Sequence, residues 1–391
     1  MAAHIAIIGG GPSGLTLARL LEFNNIDYVV NERNISENSP PGQGGSLDIH
    51  GATGQEALKR GGLSAEFEKL ARRDATVAQV ADKTGKQLVK FGEGGDAPEI
   101  DRVQLRKLLL DSIPSHKIQW NKAMKQVERD AEGNVVVHFA DGSNATGFRL
   151  VVGADGAWSK VRHLLTPAKP QYSGKSYIEG KISPGNRFYG RVEARVGHGS
   201  MLAFGSKKHL AVQQMSDCSY RIYLGLTVDE NVFDLGNPNA DLIADNGAMA
   251  RDFFLSQPEY FADWDDELKS IIANSEGGFR YWPLYHMAPD SLNWEHAAQV
   301  TLIGDAAHVS TPFVGEGVNC SMYDSLVLVE KILEFGTGDN LDRAVAEYEK
   351  DMFKRGRDLI ERSIGSAKLL FAEDAPNGLV QIIQGSSEEA S

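Results

Sequence analysis

Near the N-terminus, Gly9-Gly10-Gly11-Pro12-Ser13-Gly14 and Glu32 are the residues whose types and spacing can do chemistry. Gly9, Gly11 and Gly14 spell G-x-G-x-x-G. Gly9 permits a tight turn, Gly11 lets the backbone approach a pyrophosphate, and Gly14 lets a helix pack on a strand. The pyrophosphate would rest on the unpaired N–H groups of a helix opened by Pro12 and Ser13. Glu32, followed by Arg33, would accept hydrogen bonds from an adenosine ribose. The motif implies a dinucleotide and leaves NAD, NADP and FAD open.

These residues need a strand–turn–helix–strand unit to position them, and the flanking sequence has that form. His4–Gly9 is a short apolar run, Leu15, Leu17, Ala18, Leu20 and Leu21 repeat at helical spacing, and Ile26–Asn31 is a second apolar run. Two later strands end in similar turns. Arg149–Gly153 delivers Ala154-Asp155-Gly156, with Ser159, Val161 and Arg162 beyond it. Gln299–Ile303 runs into Gly304-Asp305-Ala306-Ala307-His308, then Pro312-Phe313-Val314-Gly315-Glu316-Gly317-Val318-Asn319 and a long helix. In an open α/β sheet ligands bind at the carboxyl ends of strands, so three such turns can converge on one extended cofactor. Other polar residues read more blandly on their own. Asp48 is a turn or capping residue, Arg102 and Arg106 are a solvated helix edge, and His308 is structural rather than a base.

The chain has 391 residues, 42% of them hydrophobic and 24% charged, which is ordinary for a globular protein. A formal net charge of −13 with no basic block disfavours nucleic acid and anionic membrane as partners. Two cysteines, Cys218 and Cys320, suit a reduced thiol state better than a disulfide framework. No apolar run is long enough to span a bilayer, and the first strand begins too early for a signal peptide, so a cytoplasmic protein is expected. Between Gln171 and Tyr281 the pattern turns to alternating strands: Gly190–Val196, Met201–Phe204, His209–Met215 and Tyr220–Val228. Val77–Ala81 and Gln87–Phe91 read as a hairpin. Arg221, Tyr223, Gly225 and Thr227 share one face of their strand and are free to wall a pocket. Phe253–Phe254 and Phe261–Ile272 read as helices whose aromatics belong to the core.

Taken together, the three turns resemble the aromatic-hydroxylase-type (class A) FAD monooxygenases, the group that includes para-hydroxybenzoate hydroxylase. The likeness covers nearly the full length. It implies an α/β fold: a Rossmann-like FAD-binding domain, an interleaved antiparallel-sheet substrate domain and a C-terminal helix. The expected division is 1–75, 99–170 and 285–338 for FAD, 76–98 and 171–284 for substrate, 339–384 for a bridging helix, and 385–391 for a flexible tail. By the resemblance, Glu32 takes the adenosine ribose, Asp305 the ribityl chain, Asp155 lies near the pyrophosphate, and Arg102 contacts the FAD. Gly44–Leu63 (GGSLDIHGATGQEALKRGGL) and Pro98–Arg106 (PEIDRVQLR) resemble the tetracycline-inactivating flavin monooxygenases in particular. That likeness makes Asp48 a flavin-edge contact. The chain departs from their pattern at Pro41, where they carry a basic residue for NADPH, and at Glu316, where they carry glutamine. Glu179 falls where they have a substrate-binding glutamine, with Tyr223 a further substrate contact and no arginine assigned to the second contact.

The implied chemistry is flavin-borne. NAD(P)H, bound transiently, reduces FAD; oxygen adds to give a C4a-hydroperoxide, which hydroxylates a polycyclic, aromatic or enolic small molecule, with tetracyclines among the candidates. No catalytic side chain and no metal is required; Asp48, Pro312 and Gly315 shape the flavin site. The amides at Gly315–Gly317, Val318 and Asn319 would face the flavin pyrimidine and stabilise negative charge there, and Glu316 is expected to point away. The alternative is a flavoprotein that sequesters a ligand or senses redox state without turnover. A monomer is expected.

Overall fold

The structure is a computed structural model that describes residues 5–39, 44–233, 237, 239, 242–243 and 247–389. Pro41 and His4 lie outside the described residues. The chain divides into two compact units: Met1–Ala71, Arg102–Gln171 and Tyr285–Ser363 form one, and Arg72–Asp101, Tyr172–Leu284 and Ile364–Ser391 the other.

The first unit is built on a five-stranded sheet in the order Val300–Leu302, Leu150–Gly153, Ile5–Ile8, Tyr28–Asn31, Ile118–Gln119. Every pairing in it is parallel. Ile5–Ile8, Leu150–Gly153 and Val300–Leu302 are buried at every position, as strands covered on both faces must be, which is why they read as unbroken apolar stretches. Chain order reverses beside Ile5–Ile8, the switch point at which open α/β sheets bind ligands. The register makes the strand ends level: Ile8 lies opposite Gly153, and Gly153 opposite Leu302.

Two helices follow the first and last of these strands. Pro12–Phe23 starts with proline in its first turn, where the missing N–H is no loss. It buries Leu15, Leu17, Leu20 and Leu21. Gly317–Phe335 buries Met322, Leu326, Val329 and Ile332 at helical spacing and stops at Gly336 in the left-handed region. The two are tied by Ser325 Oγ, which donates to the Ser13 carbonyl at 2.9 Å.

The second unit centres on a seven-stranded sheet in the order Glu276–His286, Gln171–Ile182, Tyr220–Thr227, Lys208–Gln214, Ser200–Gly205, Ala78–Asp82, Gln87–Phe91. Ser200–Gly205 pairs in parallel with Ala78–Asp82, while the Tyr220–Thr227 and Lys208–Gln214 pairings and the Ala78–Phe91 hairpin are antiparallel. One face buries Ile178, Ile182, Ile222, Leu224, Leu210 and Val212 in a core with Phe254, Phe261 and Trp264, the place expected for those aromatics. The opposite face carries Tyr177, Glu179, Tyr223 and His209, in register across Glu179–Tyr223 and Gly225–His209.

Three expectations change. Residues 190–196 are not a strand: Tyr189–Val196 is a helix whose Val192 and Val196, four apart, are its buried residues. That spacing is helical, and the short run was misread as alternation. The bridging helix assigned to 339–384 is two helices, Leu341–Leu370 and Asn377–Glu389. The polar residues from 385 to 389 therefore belong to a helix rather than a tail, because extending an existing helix costs far less than starting one. Cys218, exposed, and Cys320, buried, are both free thiols.

Candidate functional site

At the end of Ile5–Ile8 the chain turns through Gly9 with φ +112. A side chain here would place its Cβ 2.3 Å from the Ala154 carbonyl oxygen, and one at Gly14 would place it 2.0 Å from the Gly9 oxygen. Both contacts are backbone to backbone, so neither can yield. Gly11 differs: nothing lies within 4 Å of its would-be Cβ. Two glycines thus close the turn and one leaves its surface bare. Pro12 has no N–H, and the Ser13 and Gly14 amides lack an intrahelical acceptor.

Glu32 ends the second strand, 6% exposed. Its Oε2 accepts from the Gly10 N–H at 2.5 Å and its Oε1 from the Asn34 N–H at 2.9 Å. Each carboxylate oxygen keeps a second lone pair for a hydroxyl. Gly10 was passed over in the sequence, yet a Cβ there would meet Glu32 Oε2 at 2.8 Å. Arg33 is exposed beside it.

Asp155 follows the second strand end. Its Oδ1 accepts from Ser159 Oγ at 2.6 Å and its Oδ2 from the Lys160 N–H at 2.8 Å. The carboxylate thus shapes its own loop, while its main chain abuts Gly9. That loop leads to Arg162, which is 2% exposed. Its guanidinium donates to the carbonyls of Ala306 at 2.7 Å, Asp305 at 3.0 Å and Ala157 at 2.9 Å. A buried arginine thereby locks the second motif to the third, and no spacing rule in the sequence announces it.

Asp305 stands at the third strand end with its side chain exposed but densely surrounded. That surrounding protein raises its carboxyl above the ordinary value, against the opposing charges of His308, Arg102 and Arg162. Arg102 opens the Arg102–Asp111 helix, and its N–H donates to the Gly45 carbonyl at 3.1 Å. His308 is buried and pairs with Asp324 at 2.6 Å; Asp324 also accepts from the Gly304 N–H at 2.9 Å and from Arg355 at 3.0 Å. Burial opposes charging His308, but Asp324 outweighs it and holds the imidazole well above its usual pKa. His308, Cys320 and Asp324 also lie close enough to share a metal ion. Asp324 already accepts from Gly304 and carries the Arg355 charge on its other oxygen, so an ion pair describes this cluster better.

Pro312 is exposed, and Gly315 follows in the left-handed region at φ +69. Asp48 Oδ2 lies 3.1 Å from the position a Gly315 Cβ would take. The Gly317, Val318 and Asn319 amides open the Gly317–Phe335 helix with no intrahelical acceptor. The Asn319 side chain is fully committed: its Nδ2 donates to the Asp48 carbonyl at 2.8 Å and its Oδ1 accepts from the His50 N–H at 2.8 Å. Glu316 is gripped by Arg362 through both oxygens at 2.6 Å.

In the second unit Glu179 is 5% exposed. Its Oε1 accepts from Arg221 at 3.1 Å and its Oε2 from Trp282 Nε1 at 2.9 Å. An arginine therefore stands beside Glu179, a partner the sequence did not reveal. Tyr223 and Tyr177 rings lie 5.6 Å apart. Burial drives the nearby His209 down to about 3, so it is neutral.

A cavity of about 640 Å³ in the first unit, lined by Arg19, Leu63, Leu70, Leu108 and Asp111, touches none of the motif residues. The level strand ends are the better site on chemistry. They bring a bare glycine surface, helix-start amides as donors, and acids at Glu32 and Asp305 as acceptors to one sheet edge, the set that a flavin dinucleotide requires. Comparison with known proteins agrees. Residues 2–182 and 278–363 match the FAD binding domain family. Monooxygenase asqM of Emericella nidulans is 30% identical over 95% of this chain and 96% of its own length. Klebsiella pneumoniae HpxO, solved with FAD and uric acid, superposes with a TM-score of 0.76 at 22% identity, over 98% of this chain and 92% of its own. The tetracycline destructase Tet(55) does so at 0.73 and 16% identity, over 98% and 95%. The chain belongs to the FAD binding domain family, and within it to the FAD-dependent monooxygenases.

Proposed function

We propose that this monooxygenase is an NAD(P)H-dependent hydroxylase of planar aromatic, polycyclic or enolic small molecules, with O2 as co-substrate. The observation that carries the reading is the level meeting of three strand ends, each closed by a motif turn, with the helix start at Gly317. Bound there, FAD supplies the hydride acceptance and oxygen activation that side chains cannot. The chain's residues do the rest. Ser13 and Gly14 amides receive the pyrophosphate, Glu32 the ribose hydroxyls and Asp305 the ribityl hydroxyls. The Gly317, Val318 and Asn319 amides face the pyrimidine edge and favour negative charge on it. Asp48, Pro312 and Gly315 border the ring, and Arg102 balances Asp305. Among the described residues there is no second glycine-turn dinucleotide fold, which supports a reductant that binds transiently.

On the second unit's other sheet face, Glu179 neutralises Arg221. A compensated pair favours a neutral ring with hydrogen-bonding edges over a carboxylate, which would need an unshared arginine. Uric acid, held by HpxO, is a ring compound with hydrogen-bonding edges and no carboxylate, and tetracyclines enter the set through Tet(55). The test is a panel of neutral and carboxylated ring compounds, scored by NADPH and NADH consumption and by product mass. Turnover that adds one oxygen atom to a neutral compound is expected. Protein that is colourless and cannot be reconstituted with FAD would overturn the cofactor site; reductant consumption that yields only hydrogen peroxide across the panel would favour a sequestering or redox-sensing flavoprotein.

A further inference from the structure

We propose that His50 is a positioning residue that holds the Asp48 carboxylate against Gly315 and makes the charge beside the flavin site titratable. The proposal rests on the reading above that Asp48 and Gly315 border the flavin ring.

The geometry starts from Asn319. This residue is 1% exposed, and its amide bonds the main chain on both sides of Ile49, at the Asp48 carbonyl and the His50 N–H. Gly54 has no room for a side chain because a Cβ there would come 2.5 Å from Asn319 Oδ1. With its backbone fixed in this way, the segment brings His50 Nε2 to 2.9 Å from Asp48 Oδ2. The same oxygen faces Gly315 on its other side. The carboxylate therefore sits between an imidazole and the bare backbone that precedes the Gly317–Phe335 helix.

Beyond the imidazole is a cavity of about 210 Å³ lined by His50, Tyr323, Arg355, Asp358 and Arg362, among others. His50 is the link between that cavity and Asp48. The charges that face it are Asp48 itself, Glu316 and Arg362, with Arg355 and Asp358 in the cavity wall. Most of these are already paired: Glu316 and Asp358 with Arg362, and Arg355 with Asp324 and Asp351.

Two acids thus flank the helix start, and they are matched differently. Glu316 is paired with an arginine, which keeps its charge at every accessible pH. Asp48 is paired with a histidine, which does not. The hydrogen bond to Asp48 raises His50 above its ordinary 6.5, with burial opposing. Below that raised value the Asp48–His50 pair is neutral; above it the pair carries one negative charge. Reduced flavin is negatively charged at its pyrimidine edge, so reduction is easier while His50 is protonated. Reduction in turn favours uptake of one proton by His50.

The experiment is the midpoint potential of the FAD-loaded protein as a function of pH, in the wild type and in His50→Gln. The wild type should show an inflection above pH 6.5, with the potential lower on the alkaline side. Both proteins keep the slope that the flavin's own proton uptake on reduction imposes, and His50→Gln should lose the added inflection and follow the extension of the wild type's alkaline branch. Identical curves for the two proteins would overturn the proposal while leaving the FAD site intact. A wild-type protein that takes up no FAD would instead overturn the functional reading beneath it. A second measurement does not depend on that variant folding: the His50 ring pKa by NMR, in the wild type and in Asp48→Asn. It should lie above 6.5 and fall in Asp48→Asn, and a value unmoved by that change would also overturn the proposal.

Discussion

Asp305 and Arg162 occupy one junction and have opposite jobs. The Asp305 side chain is exposed at the strand end, while its carbonyl is held by the buried Arg162 guanidinium. Removing the carboxylate therefore removes the proposed ribityl contact and leaves the scaffold in place. Asp305→Ala should weaken FAD binding about ten- to a hundredfold, the worth of one or two hydrogen bonds to a charged group. Its unfolding midpoint should stay near wild type, as for other exposed substitutions. Fluorescence titration of the deflavinated protein and thermal melts check the two halves, and equal losses in both would make Asp305 structural. At this scale the sequence is legible where chemistry demands a residue type at a fixed spacing: Gly9, Gly11, Gly14 and Glu32. It is opaque where a partner comes from a distant segment. Asn319 reaches the backbones of Asp48 and His50 from the far end of the chain, and Glu179 meets Arg221 because two strands lie in register. Neither pairing leaves a local pattern.

Among the elements, the strand–turn–helix at the N-terminus is under two separate demands, and its glycines divide them. Gly14 packs where a methyl group would meet the Gly9 carbonyl oxygen, while Gly11 has open space. Gly14→Ala should destabilise the protein by about 1–3 kcal/mol through overpacking, read from urea unfolding with FAD absent. Gly11→Ala should unfold close to the wild-type midpoint yet bind FAD poorly, because its new methyl group occupies the surface the pyrophosphate approaches. If both variants unfold alike, that division is wrong. Strand and helix types were readable wherever apolar runs were long and covered on both faces. Residues 189–196 were misread because a short segment with two buried valines fits either period.

For the whole molecule, the buried His308–Asp324–Arg355 cluster sets how the fold responds to pH. Folding raises His308 above 6.5, so its contribution is complete below that pH and is lost as pH climbs through the raised value. Folding lowers Asp324 below 3.8, so its contribution is present above 3.8 and lost as pH falls through the lower value. Melting temperature should therefore be highest between these limits and decline on the alkaline side. Asp324→Asn should cost about 3–5 kcal/mol, as breaking a buried pair does, and should flatten the alkaline decline. A wild-type curve that keeps its height well above pH 6.5 while the variant matches it would refute this. The resemblance to the class A flavin monooxygenases implied two interleaved units, and the chain does divide into two. The break between Leu341–Leu370 and Asn377–Glu389 was hidden because both segments are amphipathic.

The level strand ends come from residues near 8, 153 and 302, and the helix that completes them starts at Gly317. A ribosome delivers these pieces in order, so the glycine turn exists long before its neighbours do. Until Leu150–Gly153 has emerged, the Ile5–Ile8 strand has one bare flank where an apolar edge is open to wrong pairing. A site built from all three strand ends and that helix start is therefore complete only after residue 317 has been made.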